Sequence, residues 1–385
     1  MKKPIRVLEL RSVYGTGGGP DKTIVASGQR ADENISLTLC YLKNAHDPLF
    51  PIGNLARSLG LDYVEIEERH SLDPRIWSTL KQLVQSRRID IVHGHEYKTD
   101  LLAFFLARAT GTIPFATAHG WTGHSWRERR LYYPADKRLL ARFPRVAAVS
   151  SEIKQELVIH GARAERIDVV LNGIDPGRFR RQPAQQPEAR MRWQIGPDEI
   201  AIGSVGRLEP QKRFDLLIQA FHELADRFPA ARLLIAGEGS LKDQLQAQID
   251  TIGRRDRIVL TGQVDVTPFH HALDLFVQSS EYEGTPNVVL EAMALETAIV
   301  ATDVGGTSEL ARHDLEALIV PPGSVPRLRD AMLAVLSQPA SARDRVHAAR
   351  RRVETDLSFD HRMQRINGLY ENLVGSTAAS TARQR

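Results

Sequence analysis

Two carboxylates stand eight positions apart in the segment 281–294, which reads Glu-Tyr-Glu-Gly-Thr-Pro-Asn-Val-Val-Leu-Glu-Ala-Met-Ala. Glu283 precedes a Gly-Thr-Pro turn, and Glu291 is predicted to lie two turns into the following helix. Carboxylates accept hydrogen bonds from sugar hydroxyls, and backbone N–H groups at a helix start bind anions. The backbone between them belongs to Gly284, Thr285, Pro286, Asn287 and Val288. The segment therefore predicts one loop that holds hydroxyls and a phosphate together.

Two cations follow an earlier predicted strand, in a segment that reads Gly-Ser-Val-Gly-Arg-Leu-Glu-Pro-Gln-Lys-Arg over residues 203–213. Arg207 and Lys212 leave the strand end just before a predicted helix, where two cations and helix N–H groups can converge on a diphosphate. Lysine is scarce, at 10 of the 51 basic residues, so Lys212 is less expected to be an ordinary surface charge without a role. The alternative interpretation is a solvated charge pair at a helix start.

A glycine-rich loop follows the first predicted strand and reads Gly-Thr-Gly-Gly-Gly-Pro over residues 15–20. Glycines such as Gly17 and Gly18 allow close backbone approach, and Pro20 suits the first position of a helix whose N–H groups can bind an anion. A flexible turn without a ligand is the competing interpretation. The dinucleotide fingerprint Gly-x-Gly-x-x-Gly fails, because Pro20 stands at its last glycine.

The elements that must position these loops are βα units, since short apolar runs alternate with amphipathic segments along the whole chain. The linker expected between two α/β halves is the proline- and glutamine-rich segment 177–196, and the polar tail 376–385 is predicted to be disordered. In the second half, residues 214–228 carry apolar side chains at the spacing of a helix with one buried face. The predicted strands are 5–10, 35–40, 62–66, 89–93, 113–118, 146–150, 167–171, 200–205, 232–236, 258–261, 275–278, 298–301 and 317–320.

Composition excludes several classes of protein. With 385 residues, 42% hydrophobic and 25% charged, the chain is long enough for two globular domains, three at most. Its single cysteine, Cys40, cannot form an internal disulfide, which fits a reducing cytoplasm. Neither a signal peptide nor a membrane span of about 18 apolar residues is expected. A net charge of +4 is too small for an indiscriminate nucleic-acid binder.

Taken together, four patterns resemble the retaining GT-B glycosyltransferases of family 4, also described as glycosyl transferases group 1. The patterns are Glu283-x7-Glu291, Gly206-Arg207-x4-Lys212, Gly237-Glu238-Gly239 and Asn172-Gly173-Ile174-Asp175. The resemblance covers nearly the whole chain in the expected order. It implies two Rossmann-like domains facing a cleft: residues 1–180 on the acceptor side and 197–357 on the donor side. It further implies a helix at 358–375 that crosses back to the first domain.

The resemblance also implies roles for single residues. Arg207 and Lys212 would bind the donor diphosphate, Glu283 a hydroxyl of the transferred sugar, and Glu291 the ribose. His119, which ends the predicted strand 113–118, corresponds to the family's active-site histidine. Further donor contacts are implied for the backbone of residues 284–288 and for Gly17, Gly18, Gly237, Glu238 and Val264.

The segment His93-Gly94-His95-Glu96 superficially suggests a metal site. Because the family carries a similar His-x-His without metal, it is interpreted as wall structure or acceptor surroundings. The resemblance therefore implies a reaction without metal or cofactor, in which the two cations neutralise the leaving phosphate.

The function that follows is transfer of a sugar from a UDP- or GDP-sugar to a glycan or polyprenol-linked acceptor in bacterial surface polysaccharide assembly. A nucleotide-sugar epimerase of the same shape is the alternative, although the Glu-x7-Glu loop is not expected there. A dinucleotide oxidoreductase or a non-catalytic sugar-binding module is the third possibility, and the failed fingerprint and the intact cation and carboxylate pairs argue against it.

One region carries seven basic residues interleaved with aromatic ones, between Trp121 and Arg145. Such a stretch can lie on an anionic membrane, which would suit a lipid-linked acceptor and place the protein at the inner face of the cytoplasmic membrane. A solvated helix with a packed aromatic face is the equally weighted alternative.

Overall fold

The structure is a computed structural model that describes residues 3–13, 17–47, 50–70, 73–121 and 126–383. The chain divides into two compact units. The first comprises Met1–Asn172 together with Asp360–Arg385, and the second comprises Gly173–Phe359.

Every strand predicted from the sequence is present, with ends that differ by at most four residues. The apolar runs form strands because both faces of a parallel sheet are covered by helices, so such strands are mostly apolar rather than alternating. The strands are β1 (Ile5–Val13), β2 (Ile35–Asn44), β3 (Tyr63–Glu68), β4 (Ile91–Gly94), β5 (Ile113–Ala118), β6 (Arg145–Ala148), β7 (Ile167–Val169), β8 (Ile200–Val205), β9 (Ala231–Ala236), β10 (Ile258–Gly262), β11 (Leu275–Gln278), β12 (Ala298–Thr302) and β13 (Leu318–Val320).

The helices follow the amphipathic segments between the strands. They are α1 (Gly19–Gln29), α2 (Ile52–Ser58), α3 (Pro74–Ser86), α4 (Tyr97–Thr110), α5 (Tyr133–Leu140), α6 (Ser151–Ile159), α7 (Gln186–Arg192), α8 (Phe214–Ala225), α9 (Lys242–Thr251), α10 (Val266–Ala272), α11 (Asn287–Ala294), α12 (Thr307–Leu310), α13 (Val325–Ser337), α14 (Pro339–Thr355) and α15 (Phe359–Arg383). Helix α8 buries the face that its spacing predicts. None of the helices within the described residues is both long and apolar enough to cross a membrane.

Each unit is built on one parallel sheet. The first has the order β3-β2-β1-β4-β5-β6-β7, and the second has the order β10-β9-β8-β11-β12-β13. Strand order therefore reverses between β1 and β4 in one sheet and between β8 and β11 in the other. Ligands of open parallel sheets bind outside the carboxyl ends of the strands at such reversals. The α/β fold class predicted from the sequence is confirmed.

The segment predicted as a linker, 177–196, is part of the second unit. Arg181 donates hydrogen bonds to the backbone carbonyls of His270 and Leu273, at 2.8 and 3.2 Å. Arg190, on α7, is buried and donates to Ala272 O at 3.4 Å. The polar composition of the segment predicts arginines that face solvent. Arg181 and Arg190 instead donate to backbone carbonyls of the second unit, and these hydrogen bonds anchor the segment to that unit.

The C-terminal residues differ from expectation. Helix α15 continues to Arg383, although 376–385 is predicted to be disordered. After Gly375 the segment contains neither proline nor glycine, so nothing in its backbone chemistry ends the helix. The side chains from residue 377 onwards lie outside the described residues.

Candidate functional site

The loops that follow β8 and β11 meet beside the strand-order reversal of the second sheet. Lys212 Nζ donates to Glu283 Oε1 at 2.5 Å, and the two side chains are only 14% and 9% exposed. Ser280 Oγ donates to the same carboxylate oxygen at 2.6 Å. The fold thus brings together a cation and a carboxylate that stand 71 positions apart. A lysine has three N–H donors, so two remain for other acceptors.

The backbones of the two loops are joined as well. Gln211 Nε2 donates to Tyr282 O at 2.8 Å, and Glu281 N donates to Gln211 O at 2.9 Å. Ser279 Oγ donates to Lys212 O at 2.8 Å. These bonds fix the position from which the Lys212 side chain leaves the backbone. A preorganised ammonium group needs little reorganisation when charge develops beside it.

Helix α11 carries the second predicted carboxylate. The helix begins at Asn287, with Pro286 before it, so Glu291 lies only slightly more than one turn into the helix rather than two. Glu291 and Thr285 are both buried, at 3% and 8% exposure. The Gly-Thr-Pro turn therefore leads directly into the first turn of α11, which includes Val288, and buried side chains lie in both.

Gly305 and Gly306, which sequence reasoning missed, support this turn from the loop after β12. Gly306 N donates to Gly284 O at 2.6 Å. Gly305 has φ +54°, and a Cβ atom there would lie 2.0 Å from Glu283 O. Only glycine allows this approach. The signal in the sequence was a glycine pair in the loop that follows the predicted strand 298–301.

Gly237 has a comparable role between the loops after β8 and β9. Its φ is +146°, and a Cβ atom there would lie 1.8 Å from Gly206 O. Gly237 N donates to Gly262 O at 2.8 Å, which ties in the end of β10. Three neighbouring strand ends thus pack backbone against backbone.

The other predicted donor contacts in the second unit lie near these strand ends. The side chains of Arg207 and Glu238 are exposed, and Val264 is half-buried. Lys242 donates to Glu238 Oε1 at 3.2 Å. The structure therefore places Arg207 on the same loop as Lys212, and among the described residues no hydrogen bond or ion pair fixes its guanidinium.

In the first unit, the predicted glycine loop is described only from Gly17 onwards; Gly15 and Thr16 lie outside the described residues. Gly18 directly precedes α1, and its N–H donates to Asp21 Oδ2 at 2.7 Å. Gly17 adopts φ +75°, which favours glycine.

His119 belongs to a buried hydrogen-bonded group in the first unit. Its Nε2 lies 3.1 Å from His95 Nδ1, and His95 Nε2 makes a short contact with Glu9 Oε2. These residues lie on or directly after β1, β4 and β5, which are neighbours in the sheet. His119 is half-buried, whereas His95 and Glu9 are almost fully buried. Sequence reasoning found the two histidines but not the carboxylate.

Glu9 has further donors. Tyr370, on α15, donates from its hydroxyl to Glu9 Oε1 at 2.9 Å. His93 Nδ1 lies 2.7 Å from the Tyr370 hydroxyl and 3.2 Å from Glu9 Oε2, and His93 Nε2 lies 2.8 Å from Thr117 Oγ1. The only signal for Glu9 was an acidic residue between the apolar residues Leu8 and Leu10 of the first predicted strand.

Electrostatics define the charge of this group. Burial raises the pKa of Glu9, but the nearby His93 and His95 and their hydrogen bonds outweigh it, so that pKa lies well below its ordinary value. Burial lowers the pKa of His95 to about 3 and, with His95 beside it, lowers the pKa of His119 well below its ordinary value. Near neutral pH the group therefore holds one carboxylate and uncharged His95 and His119.

Within the described residues, Glu9, His93 and His95 also form a group whose ligand atoms lie within 4.8 Å of one another. That spacing is compatible with a metal ion, whereas the sequence led us to expect none. Each of these atoms takes part in a hydrogen bond described above.

Comparison with known proteins places the chain in a family. A model of "Glycosyltransferase Family 4" matches residues 30–178, and a model of "Glycosyl transferases group 1" matches residues 185–352. The chain belongs to the family 4 glycosyltransferases. The first match includes His95 and His119, and the second includes Lys212, Glu283 and Glu291.

Relatives of this family 4 glycosyltransferase cover much of its length. It is 29% identical to a glycogen synthase of Mycobacterium tuberculosis over 89% of this chain and 81% of that protein. It is 31% identical to a GDP-mannose-dependent alpha-(1-6)-phosphatidylinositol monomannoside mannosyltransferase of the same organism, over 50% of this chain and 52% of that protein.

Among solved structures, HepE of Anabaena in complex with UDP-glucose superposes on this glycosyltransferase with a TM-score of 0.83. The match covers 96% of this chain and 100% of that chain at 18% identity. Its solved structural neighbours are GT-B glycosyltransferases, so the GT-B fold implied by the resemblance is confirmed.

Proposed function

We propose that this glycosyltransferase moves a sugar from a UDP- or GDP-sugar to a glycan or polyprenol-linked acceptor, with retention of anomeric configuration and without a metal. The observation that carries the proposal is the buried Lys212–Glu283 ion pair beside the β8/β11 reversal. There, a cation that can bind phosphate and a carboxylate that can bind sugar hydroxyls are hydrogen-bonded to each other. The two donor classes are suggested by relatives named for UDP-glucose and for GDP-mannose.

The donor roles follow from chemistry. Lys212 and Arg207 bind the diphosphate, and the remaining Lys212 donors reach phosphate oxygens while Glu283 keeps its bond. Glu283 also accepts a hydroxyl of the transferred sugar, and Glu291 accepts the ribose hydroxyls. The turn and helix start at Gly284–Val288 cap the sugar and phosphate through backbone groups. Gly237, Glu238 and Val264 contact the nucleotide side.

The transfer step needs no enzyme nucleophile. The bond between sugar C1 and the diphosphate oxygen breaks as the acceptor oxygen bonds to C1 from the same face. The acceptor's proton passes to an oxygen of the leaving phosphate. Negative charge grows on that phosphate in the transition state, so fixed cations stabilise the transition state more than the ground state.

This function is tested first by a thermal-shift screen of nucleotide sugars, because a ligand that binds the folded state raises its apparent stability. We expect stabilisation by one UDP- or GDP-sugar in EDTA, followed by NMR of the product showing the donor's anomeric configuration. Stabilisation by NAD alone would contradict the proposal, as would an inverted product.

Gly305→Ala tests the support under the donor loop. The new Cβ atom would meet Glu283 O at 2.0 Å, so the loop must move, and we expect donor affinity to fall by about 10-fold, which is about 1.4 kcal/mol. Titration calorimetry with the stabilising donor measures it. Gly323→Ala is the matched control, because Gly323 has φ +75° but no atom within 4 Å of its Cβ position. Equal losses in both variants would show general strain instead.

The basic and aromatic region of the first unit divides into an inner and an outer part. Phe143 and Tyr133 are buried, and Trp121 donates from Nε1 to Asp136 at 2.9 Å. Trp126 and Leu131, by contrast, are 67% and 53% exposed. The packed aromatic face predicted as one alternative therefore accounts for only part of the region.

The outer part continues onto α4. Tyr97 stacks on Tyr132 at 5.4 Å, and the next residues on the same stripe of α4, Leu101 and Phe105, are 46% and 49% exposed. Exposed arginines flank this surface at positions 127, 129 and 130. We include in the proposal that this surface contacts anionic lipid at the inner face of the cytoplasmic membrane, which suits a lipid-linked acceptor.

A charge-reversal pair tests the membrane contact. With vesicles containing phosphatidylglycerol, we expect Arg129→Glu with Arg130→Glu to weaken co-sedimentation by at least about 10-fold. The control with the same charge change, Arg343→Glu with Arg351→Glu, alters two exposed positions on α14. Equal binding by the two double variants would remove the membrane contact from the proposal.

A further inference from the structure

Two consecutive serines directly follow β11 and hold opposite members of the Lys212–Glu283 ion pair. Ser279 Oγ donates to the backbone oxygen of Lys212 at 2.8 Å. Ser280 Oγ donates to Glu283 Oε1 at 2.6 Å. The two serines are buried, at 2% and 1% exposure, so little water competes for these hydrogen bonds.

The donor in each of these hydrogen bonds follows from the groups themselves. A backbone carbonyl only accepts, so the Ser279 hydroxyl must be the donor to Lys212 O. An ammonium group only donates, so Glu283 Oε1 accepts from Lys212 Nζ at 2.5 Å. The carboxylate of this ion pair has no proton to give, and the Ser280 hydroxyl is therefore a second donor to the same oxygen.

These two donors determine which oxygen of Glu283 can bind a ligand. A carboxylate oxygen has two lone pairs in the plane of its group, and Glu283 Oε1 uses both. In the part of the chain that the structure describes, no group donates to Oε2. Two donors at Oε1 also restrict rotation of the carboxylate, whereas a single donor would let it turn. The serine and the lysine together therefore hold Oε2 in one position.

The Ser280 backbone is itself fixed by the neighbouring strand β12. Thr302 Oγ1 donates to Ser280 O at 2.6 Å, and Thr302 N donates to the side-chain oxygen of Gln278 at 3.0 Å. Thr302 and Gln278 are each 3% exposed. The position of Ser280 thus depends on the ends of two paired strands, which hold a side chain more precisely than a loop does.

We infer that Ser280 is a positioning residue that holds the Glu283 carboxylate so that Oε2, and not Oε1, accepts the hydroxyl of the transferred sugar. The inference rests on the proposed function, which assigns that hydroxyl to Glu283. When the serine hydroxyl is removed, Lys212 keeps its bond to Oε1 and its other donors for phosphate. Ser280 should therefore affect binding of the sugar half of the donor and not of the diphosphate half. A purely structural role would affect both halves alike.

A comparison of two ligands tests this role. Titration calorimetry measures the dissociation constant of the nucleotide sugar that the thermal-shift screen selects, with UDP-glucose and GDP-mannose as the first probes, and that of the matching UDP or GDP. We expect Ser280→Ala to weaken binding of the nucleotide sugar by about 10-fold and of the nucleoside diphosphate by less than about 2-fold. Ser280→Cys keeps a side chain of similar size with a weak donor, so it should show the same selective loss without a void.

The matched control is Ser204→Ala on β8. Ser204 is buried at 2% exposure, and its hydroxyl donates to Val277 O at 2.6 Å, so the change removes a hydrogen bond that involves neither member of the ion pair. Both dissociation constants should stay within about 2-fold of wild type. Equal weakening of the two ligands by Ser280→Ala would overturn the inference in favour of a structural role. Wild-type affinity of Ser280→Ala for the nucleotide sugar would overturn it as well.

A double-mutant cycle shows whether Ser280 acts through Glu283. In a Glu283→Ala background, we expect Ser280→Ala to change the affinity for the nucleotide sugar by less than about 2-fold. An undiminished loss in that background would refute the inference, because Ser280 would then act on the sugar by another route.

The calorimetry also separates the possible failures. If the wild-type protein binds no nucleotide sugar, the proposed function fails and the inference falls with it. If the wild type binds a nucleotide sugar and Ser280→Ala behaves like Ser204→Ala, the inference alone fails and the proposed function stands.

Discussion

Replacing Lys212 with alanine is expected to lower kcat/KM by about 10²–10³-fold, mostly through kcat. The Lys212 side chain is 14% exposed, and its Nζ lies 2.5 Å from Glu283 Oε1, in a loop fixed by hydrogen bonds to the loop after β11. A cation in such a place interacts more strongly with the departing phosphate than with the bound donor, because charge grows as the C1–O bond breaks. Steady-state kinetics with the donor from the thermal-shift screen measures the change.

The control for Lys212→Ala is Arg329→Ala. Arg329, on α13 of the same unit, forms surface ion pairs with Glu223 at 2.8 Å and Asp330 at 2.7 Å, and its loss should leave kcat/KM within about 2-fold. Lys212→Ala should also keep the wild-type circular dichroism spectrum, since Ser280 still donates to Glu283. Near wild-type kcat in a folded Lys212→Ala protein would refute the electrostatic role of Lys212.

Sequence patterns predicted the parts of the fold that local chemistry determines. All the strands follow from apolar runs, and α8 follows from its spacing, because a buried strand or helix face needs apolar residues at a fixed period. The loops around Lys212 and Glu283 were predicted because cations, glycines and carboxylates cluster after strands. Their direct ion pair was not, since 71 positions separate the two residues.

Other features could not be predicted because distant residues complete them. Glu9 and Tyr370 stand 361 positions apart, and nothing near either residue indicates the other. Gly305 is required by its closeness to Glu283 O, not by its own neighbours in sequence. Arg190 lies in a segment with the composition of a linker, but its guanidinium donates to Ala272 O and Asp274 Oδ2, which are 82 and 84 positions away. In each case the chemistry is local in space and not in sequence.

Replacing Glu9 with alanine is expected to lower the free energy of unfolding of the first unit by about 3–5 kcal/mol. The change leaves the buried Tyr370 hydroxyl and two histidine rings without their acceptor, and it removes the negative charge that favours the buried Arg362 cation. Hydrogen exchange measured by mass spectrometry reports this unit separately, through peptides from β1 and β4 against peptides from β8 and β11. Glu33→Ala, at an exposed position of the same unit, is the control and should change little.

The pH dependence of this loss tests the ionisation of Glu9. The pKa of Glu9 in the folded protein lies below its ordinary value of 4.5, so its stabilisation is complete above that pH and disappears as the pH falls through the folded value. The pKa of His95 is about 3 in the folded protein, against an ordinary value of 6.5. As the pH falls below 6.5, the unfolded chain therefore takes up a proton that the folded chain does not, so wild type and Glu9→Ala both lose stability. The difference between wild type and Glu9→Ala should therefore stay constant from pH 7.5 to 5.5, even as both lose stability. A difference that grows as the pH falls from 7.5 to 6 would mean that the folded pKa of Glu9 is raised instead, and that Glu9 is protonated near neutrality.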